Sequence, residues 1–133
     1  RHNFTKMKTL AFSLETPIAK YNFDGKDLLE VYPDGREISD KIIEENFKQL
    51  GNLLAGKKVK MIVDYSHSVP FDKRLRVALE KQCKAYCQAK AFISSSILGN
   101  TVANLFVSKS EVSVPMKIFK SKEKAISWLQ ESA

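Results

Sequence analysis

From Ser39 onward the apolar residues of this chain change their spacing repeatedly, and that switching limits the fold more than any other feature. In "SDKIIEENFKQLGNLLAG" the residues Ile43, Phe47, Leu50 and Leu54 recur at helical spacing and define one apolar face. "KVKMIVDYS" follows as a short apolar run of strand type. "FDKRLRVALEKQCKAYCQ" returns to the helical period, with Phe71, Leu75, Ala78, Leu79, Cys83 and Tyr86 inward and Pro70 in its first turn. "KAFISSS" then reads as a strand, "GNTVANLFV" as a short helix, "VSVPMKIF" as a strand and "SKEKAISWLQ" as a last helix, capped by Ser121, with Ala125, Ile126 and Leu129 inward. Such alternation requires a mostly parallel sheet covered by helices.

Ahead of this alternation the pattern is different. "TLAFSLE", "IAKYNFDG" and "DLLEVYPDG" are strand-like, Asp24-Gly25 is tight-turn chemistry, and Pro33-Asp34-Gly35 marks the next turn. The expected fold class is therefore α/β: an N-terminal antiparallel hairpin joined to a mostly parallel sheet, with about four helices. One domain over 8–133 suits a chain of 133 residues, with residues 1–7 as an arm or an appended remnant ahead of it. Ser39 or Asp40 caps the first helix, and Gly56 with Lys57 and Lys58 suits its end.

Several chemistries lack their parts. "GNLLAGKK" matches the letters of a phosphate-binding G-x-x-x-x-G-K loop, yet it lies at the end of a helix and before a strand, and Lys58 stands where a Ser or Thr should hold magnesium. Metal ligation would fall to His2, His67, Cys83 and Cys87, and the two thiols share a face with core residues. No metal or cofactor is expected. Cys83 and Cys87 are read as reduced thiols of a cytoplasmic protein. There is no G-x-S-x-G elbow, and His67 is too close in sequence to Asp64, Ser66 and Ser68 to build a triad from separate elements, so an enzyme is not expected. No apolar run reaches the length of a membrane span. The net charge of +7 attracts acidic partners, but aromatics do not interleave with the cations as a nucleic-acid platform requires.

Lys60 to Arg76, "KMIVDYSHSVPFDKRLR", holds the candidate site. Ligands of open α/β sheets use the loops at the carboxyl ends of the strands. Here such a loop runs into a helix whose free N–H groups and whose Lys73, Arg74 and Arg76 favour an anion. The candidate partner- or anion-binding residues are Ser66, His67, Ser68, Asp72, Lys73, Arg74 and Arg76.

The order of these elements resembles the STAS-like superfamily of anti-sigma-factor antagonists, and within it the small bacterial STAS/SEC14-type domains of unknown function. The resemblance is carried by "GREISDKIIEENFKQLGNLLAGKKVKMIVDYS", by "KAFISSS" with "TVANLF", and by "VPMKIFKSKEKAISWL", and covers roughly Leu10 to Leu129. It implies a cytoplasmic, non-enzymatic regulatory domain that docks on an acidic protein partner. Switch members of the family carry apolar–Asp–apolar–Ser in the strand and, about eight residues on, Asp-Ser-Ser-Gly whose first Ser is phosphorylated. This chain has Val63-Asp64-Tyr65-Ser66 and then Asp72-Lys73-Arg74-Leu75. Lys73 occupies the acceptor position, so the resemblance implies a member without the usual phospho-switch, with Ser66 and Ser68 as the only substitutes nearby. The SEC14 side of the resemblance implies the alternative, a carrier of a lipid or small ligand. The hairpin "IAKYNFDGKDLLEVY" would leave an edge strand, guarded by Lys20 and Lys26, through which a homodimer could form.

Overall fold

A computed structural model describes residues 10–34, 38–66, 73–94, 101, 104 and 114–131, and of Leu75 the backbone alone. Three strands come first. β1 (Phe12–Glu15), β2 (Ala19–Phe23) and β3 (Leu28–Pro33) form an antiparallel meander, with Phe12 opposite Phe23 and Tyr21 opposite Val31. The β2–β3 turn follows from Asp24-Gly25: the Asp24 carboxylate accepts from the N–H groups of Lys26, Asp27 and Leu28 at 2.8, 3.1 and 3.1 Å, and Gly25 takes φ 84°. β4 (Val59–Asp64), β5 (Cys87–Ile93) and β6 (Met116–Phe119) then add in parallel, giving one six-stranded sheet in the order β1-β2-β3-β4-β5-β6.

Helices cover both faces. α1 (Asp40–Leu54) and α2 (Lys73–Tyr86) pack on one, through Leu50, Leu54, Leu79 and Cys83 against Tyr21, Val31, Met61, Val63 and Phe92. α3 (Lys122–Glu131) closes the other, setting Ala125 and Leu129 against Ile62, Ala89, Ala91 and Ile93. Ser121 caps α3 by accepting from Lys124 N–H at 3.3 Å, and Lys122 at its start reaches Glu30 on β3 at 2.8 Å. Ser39 caps α1, its hydroxyl accepting from Ile42 N–H at 3.2 Å. Most of the helix "GNTVANLFV" lies outside the described residues, though Thr101 and Asn104 are helical.

Three expectations need correction. α1 buries Asn46, Leu50 and Leu54, while Ile43 and Phe47 are only half-buried. A polar residue takes the inward position because the hydroxyls of Thr16 and Tyr21 wait there to bond it. Next, α2 ends at Tyr86, and Cys87 and Gln88 belong to β5, not to the helix. No Gly, Pro or Asn separates the two elements in "KAYCQAKAF", so the passage from helix to strand leaves no punctuation to read. Third, among the described residues the β2–β3 hairpin is not an edge: β1 pairs outside it, and β1 and β6 are the edge strands. The α1 terminus is also one residue tighter than its glycine suggests, with Ala55 itself at φ 52° ahead of Gly56 at φ 82°.

Candidate functional site

β4 delivers the chain to the carboxyl end of the sheet, where Tyr65 N–H donates to Ile93 O at 2.7 Å and Asp64 turns the backbone by accepting from Ser66 N–H at 2.7 Å. The Tyr65 ring is buried and stacks on Phe92, centroids 6.1 Å apart, and burial raises its phenol above the ordinary range. Ser66 is exposed just beyond. His67, Ser68 and Asp72 lie outside the described residues, as does Phe71. Lys73 and Arg74 open α2 on its exposed side, whereas Arg76 points to its own helix and pairs with Glu80 at 2.9 Å.

Lys73 and Arg74 are part of a larger feature. A groove of about 460 Å³ runs between the first halves of α1 and α2. Asp40, Ile43, Glu44 and Phe47 form one wall; Lys73, Arg74, Val77, Ala78 and Lys81 form the other. The bottom is therefore apolar, the α2 rim positive and the α1 rim negative. Both helices begin where their preceding strands end, so the groove lies at the carboxyl end of the sheet, where open α/β folds bind. Val77 is 48% exposed, a large apolar side chain set between Lys73 and Lys81 on one stripe of α2.

The groove is open at this end because the helices are pinned together at the other. The Tyr86 ring packs at a tilt of 38° against Phe47 with centroids 5.3 Å apart, and its hydroxyl donates to Phe47 O at 3.4 Å. A Cβ on Gly51 would collide with the Tyr86 hydroxyl. Thus Gly51, which the sequence set in a false phosphate-loop motif, is there to let the two helices approach. Gly51→Ala should destabilise the fold by about 1–2 kcal/mol, because overpacking outweighs the roughly 1 kcal/mol gain in helix propensity. In a Tyr86→Phe background the same change should be close to neutral, measured by urea unfolding; equal costs in both backgrounds would refute this role.

Beneath the groove, a polar chain holds both helices to the meander. Thr16 donates to Asn46 at 2.6 Å, and Asn46 and Gln82 both donate to the Tyr21 hydroxyl, at 2.9 and 3.0 Å. Burial raises the Tyr21 phenol, and these two amides oppose the rise. One tyrosine on β2 therefore fixes α1 against α2.

Sequence reasoning singled out Lys73 and Arg74, which line this groove, and did not single out the wall opposite them. The available signals were Ile43 and Phe47 one turn apart beside Asp40 and Glu44, and Val77 lying off the inner face of α2 among cations. Among the described residues no group of three or more His, Cys, Asp or Glu side chains could hold a metal ion, and no helix is long and apolar enough to cross a membrane.

A six-stranded sheet of this order, with a meander leading into parallel strands and helices on both faces, is a SpoIIAA-like, STAS-type fold. An uncharacterised protein of the DUF3478 family from Shewanella loihica PV-4, described as having a SpoIIAA-like fold, matches with a TM-score of 0.53 at 14% identity, over 90% of this chain and 92% of that one. At that identity the likeness is one of fold. Residues 26–133 match the model of DUF7793, a domain of unknown function, and the chain belongs to that family. Among curated proteins none matches it.

Proposed function

We propose that this is a non-enzymatic regulatory domain that docks an acidic segment of a partner protein in the α1–α2 groove. The observation that carries the reading is the exposed Val77 between Lys73, Arg74 and Lys81, facing Ile43 and Phe47 across an open groove at the carboxyl end of the sheet. An apolar stripe on the partner would cover Val77 and Phe47, and its acids would lie against the α2 rim. Lys73 offers a point charge to a carboxylate, and Arg74 adds positive charge to the same rim. Lys73 keeps a fixed positive charge at the position where relatives with the switch carry a phosphorylated serine, so control of docking falls to the partner or to another site.

Docking is favoured over carriage of a lipid or small ligand by where the space lies. The 460 Å³ is bordered by five charged side chains at the surface, while Tyr21, Leu50, Leu79 and Phe92 fill the layer between helices and sheet. A carrier surrounds most of its ligand with apolar wall. The test is affinity capture from the protein's own cells with native domain and with Val77→Asp. A polypeptide partner held by the native domain and lost by the folded variant supports the reading. Recovery of lipid alone, or equal capture by both, overturns it.

A further inference from the structure

β1 ends the sheet, and among the described residues no strand pairs with its outer side. The register of the meander fixes which backbone groups point outward. Thr16 N–H donates to Ala19 O at 3.0 Å across the first turn, and Leu14 and Phe12 then stand opposite Tyr21 and Phe23. Bonded pairs alternate along an antiparallel ladder. Phe12, Leu14 and Thr16 therefore bond towards β2, and the N–H and C=O of Ser13 point away from the sheet. The same alternation sets Phe12 and Leu14 on the helix-covered face, half-buried against the core, with the Phe12 ring 5.4 Å from that of Phe23. Ser13 and Glu15 lie exposed on the other face, Ser13 donating to Asn22 Oδ1 at 2.7 Å and Glu15 standing beside Lys20.

Strand edges are ordinarily guarded by lysine, proline or a bulge. "FSLE" holds no lysine or proline and pairs with β2 without a shift of register, and its one charge, on Glu15, has Lys20 next to it. Lys20 and Lys26 sit one strand further in, on β2 and in the β2–β3 turn. Leu10, just ahead of β1, is 79% exposed. On α1, Ile43, Phe47 and Gly51 face α2, so helical spacing turns Ile42, Gln49 and Leu53 the other way, to the β1 side, and Leu53 is 39% exposed. Of the large apolar side chains exposed among the described residues, Leu10 and Leu53 thus border β1, while Val77 belongs to the groove.

We infer that β1 is the contact between two copies of this chain, which join edge to edge in an antiparallel, two-fold arrangement centred on Ser13 and form one continuous sheet. Self-complementarity selects a second copy over a foreign strand. About Ser13 the whole of 11–15 pairs with itself: Phe12 falls opposite Leu14 of the second copy on the covered face, Ala11 opposite Glu15 on the open face, and no like charges meet. At the centre each Ser13 N–H donates to Ser13 O of the other copy. The two-fold axis is then normal to the sheet, both copies keep their α1 helices on one face, and the flanks carrying Ile42 and Leu53 look towards each other above Phe12 and Leu14. A contact this short lies at the small end of specific interfaces, so the association depends on concentration. The groove, on the other side of α1, stays open in both copies, and its occupant has no bearing on this contact.

The test is sedimentation equilibrium of the chain over a range of concentrations, with cysteine cross-linking for the register. The native chain should pass from the mass of one copy towards that of two as concentration rises. Ser13→Pro should raise the midpoint of that change at least about tenfold, because it removes the outward N–H of the central pair and leaves the β1–β2 bonds in place. Ser13→Cys should give a disulfide-linked dimer on mild oxidation, since bonded antiparallel partners lie about 5.5 Å apart at Cα, within disulfide range. Ala11→Cys should not, since its two copies would be separated by about 13 Å along the strands. The native Cys83 and Cys87 are buried and take no part in the folded chain. Should Ser13→Pro not fold, the two cysteine variants decide. A native chain that stays monomeric at its highest soluble concentration, a folded Ser13→Pro that associates equally, or Ala11→Cys cross-linking as readily as Ser13→Cys would overturn the proposal.

Discussion

Asn46→Ala is expected to lower the unfolding free energy by about 2–4 kcal/mol. The change removes two short buried hydrogen bonds, from Thr16 and to Tyr21, and leaves a cavity between α1 and the meander. Thr16 keeps its other bonds, accepting from Ile18 and Ala19 N–H at 3.1 and 3.2 Å, so the turn between β1 and β2 should survive. The loss is therefore expected in the attachment of α1, and with it in the spacing of the groove walls. Chemical unfolding gives the free energy. A cost below about 1 kcal/mol would mean that the polar chain is not what fixes the helix, since surface substitutions already reach half that value.

Charge reversal on α2 separates binding from folding. Lys73→Glu with Arg74→Glu should weaken partner binding about tenfold to a hundredfold at low salt, because two attractive contacts become repulsive. Unfolding free energy should change by no more than about 1 kcal/mol, since both side chains are exposed. The difference between native and variant should shrink as salt rises, over the range where screening falls below about 10 Å. Calorimetric titration at two salt concentrations measures all of this. A variant that binds as tightly as the native domain would show that the cations are only a solvated helix face.

The sequence carried most of this architecture because each element announces itself locally. Ser39 and Ser121 cap helices, Asp24-Gly25 closes a turn, and the spacing of Leu50 and Leu54 marks a buried helix face. What it concealed depends on partners far away in the chain. Asn46 is buried because Thr16 and Tyr21 meet it, and no helical period announces a polar core residue. The α2–β5 junction is a direct passage with a bulge at Gln88, and periodicity cannot place a residue that breaks the period. One wall of the groove was legible for the same reason. Lys73 and Arg74 follow one strand end and are contiguous, whereas Asp40, Ile43, Glu44 and Phe47 join them only when α1 lies alongside α2. Gly51 made a misleading motif because its purpose, room for Tyr86, is a tertiary contact.

Hydrogen exchange of the domain with and without its captured partner tests the groove most directly. On binding, slowing of amide exchange should concentrate in residues 40–47 of α1 and 73–81 of α2, the two walls, while the exposed strand face carrying Ser13, Lys20 and Asn22 exchanges as before. Protection centred on that face or on the β1 or β6 edge, with the groove walls unchanged, would contradict docking between the helices.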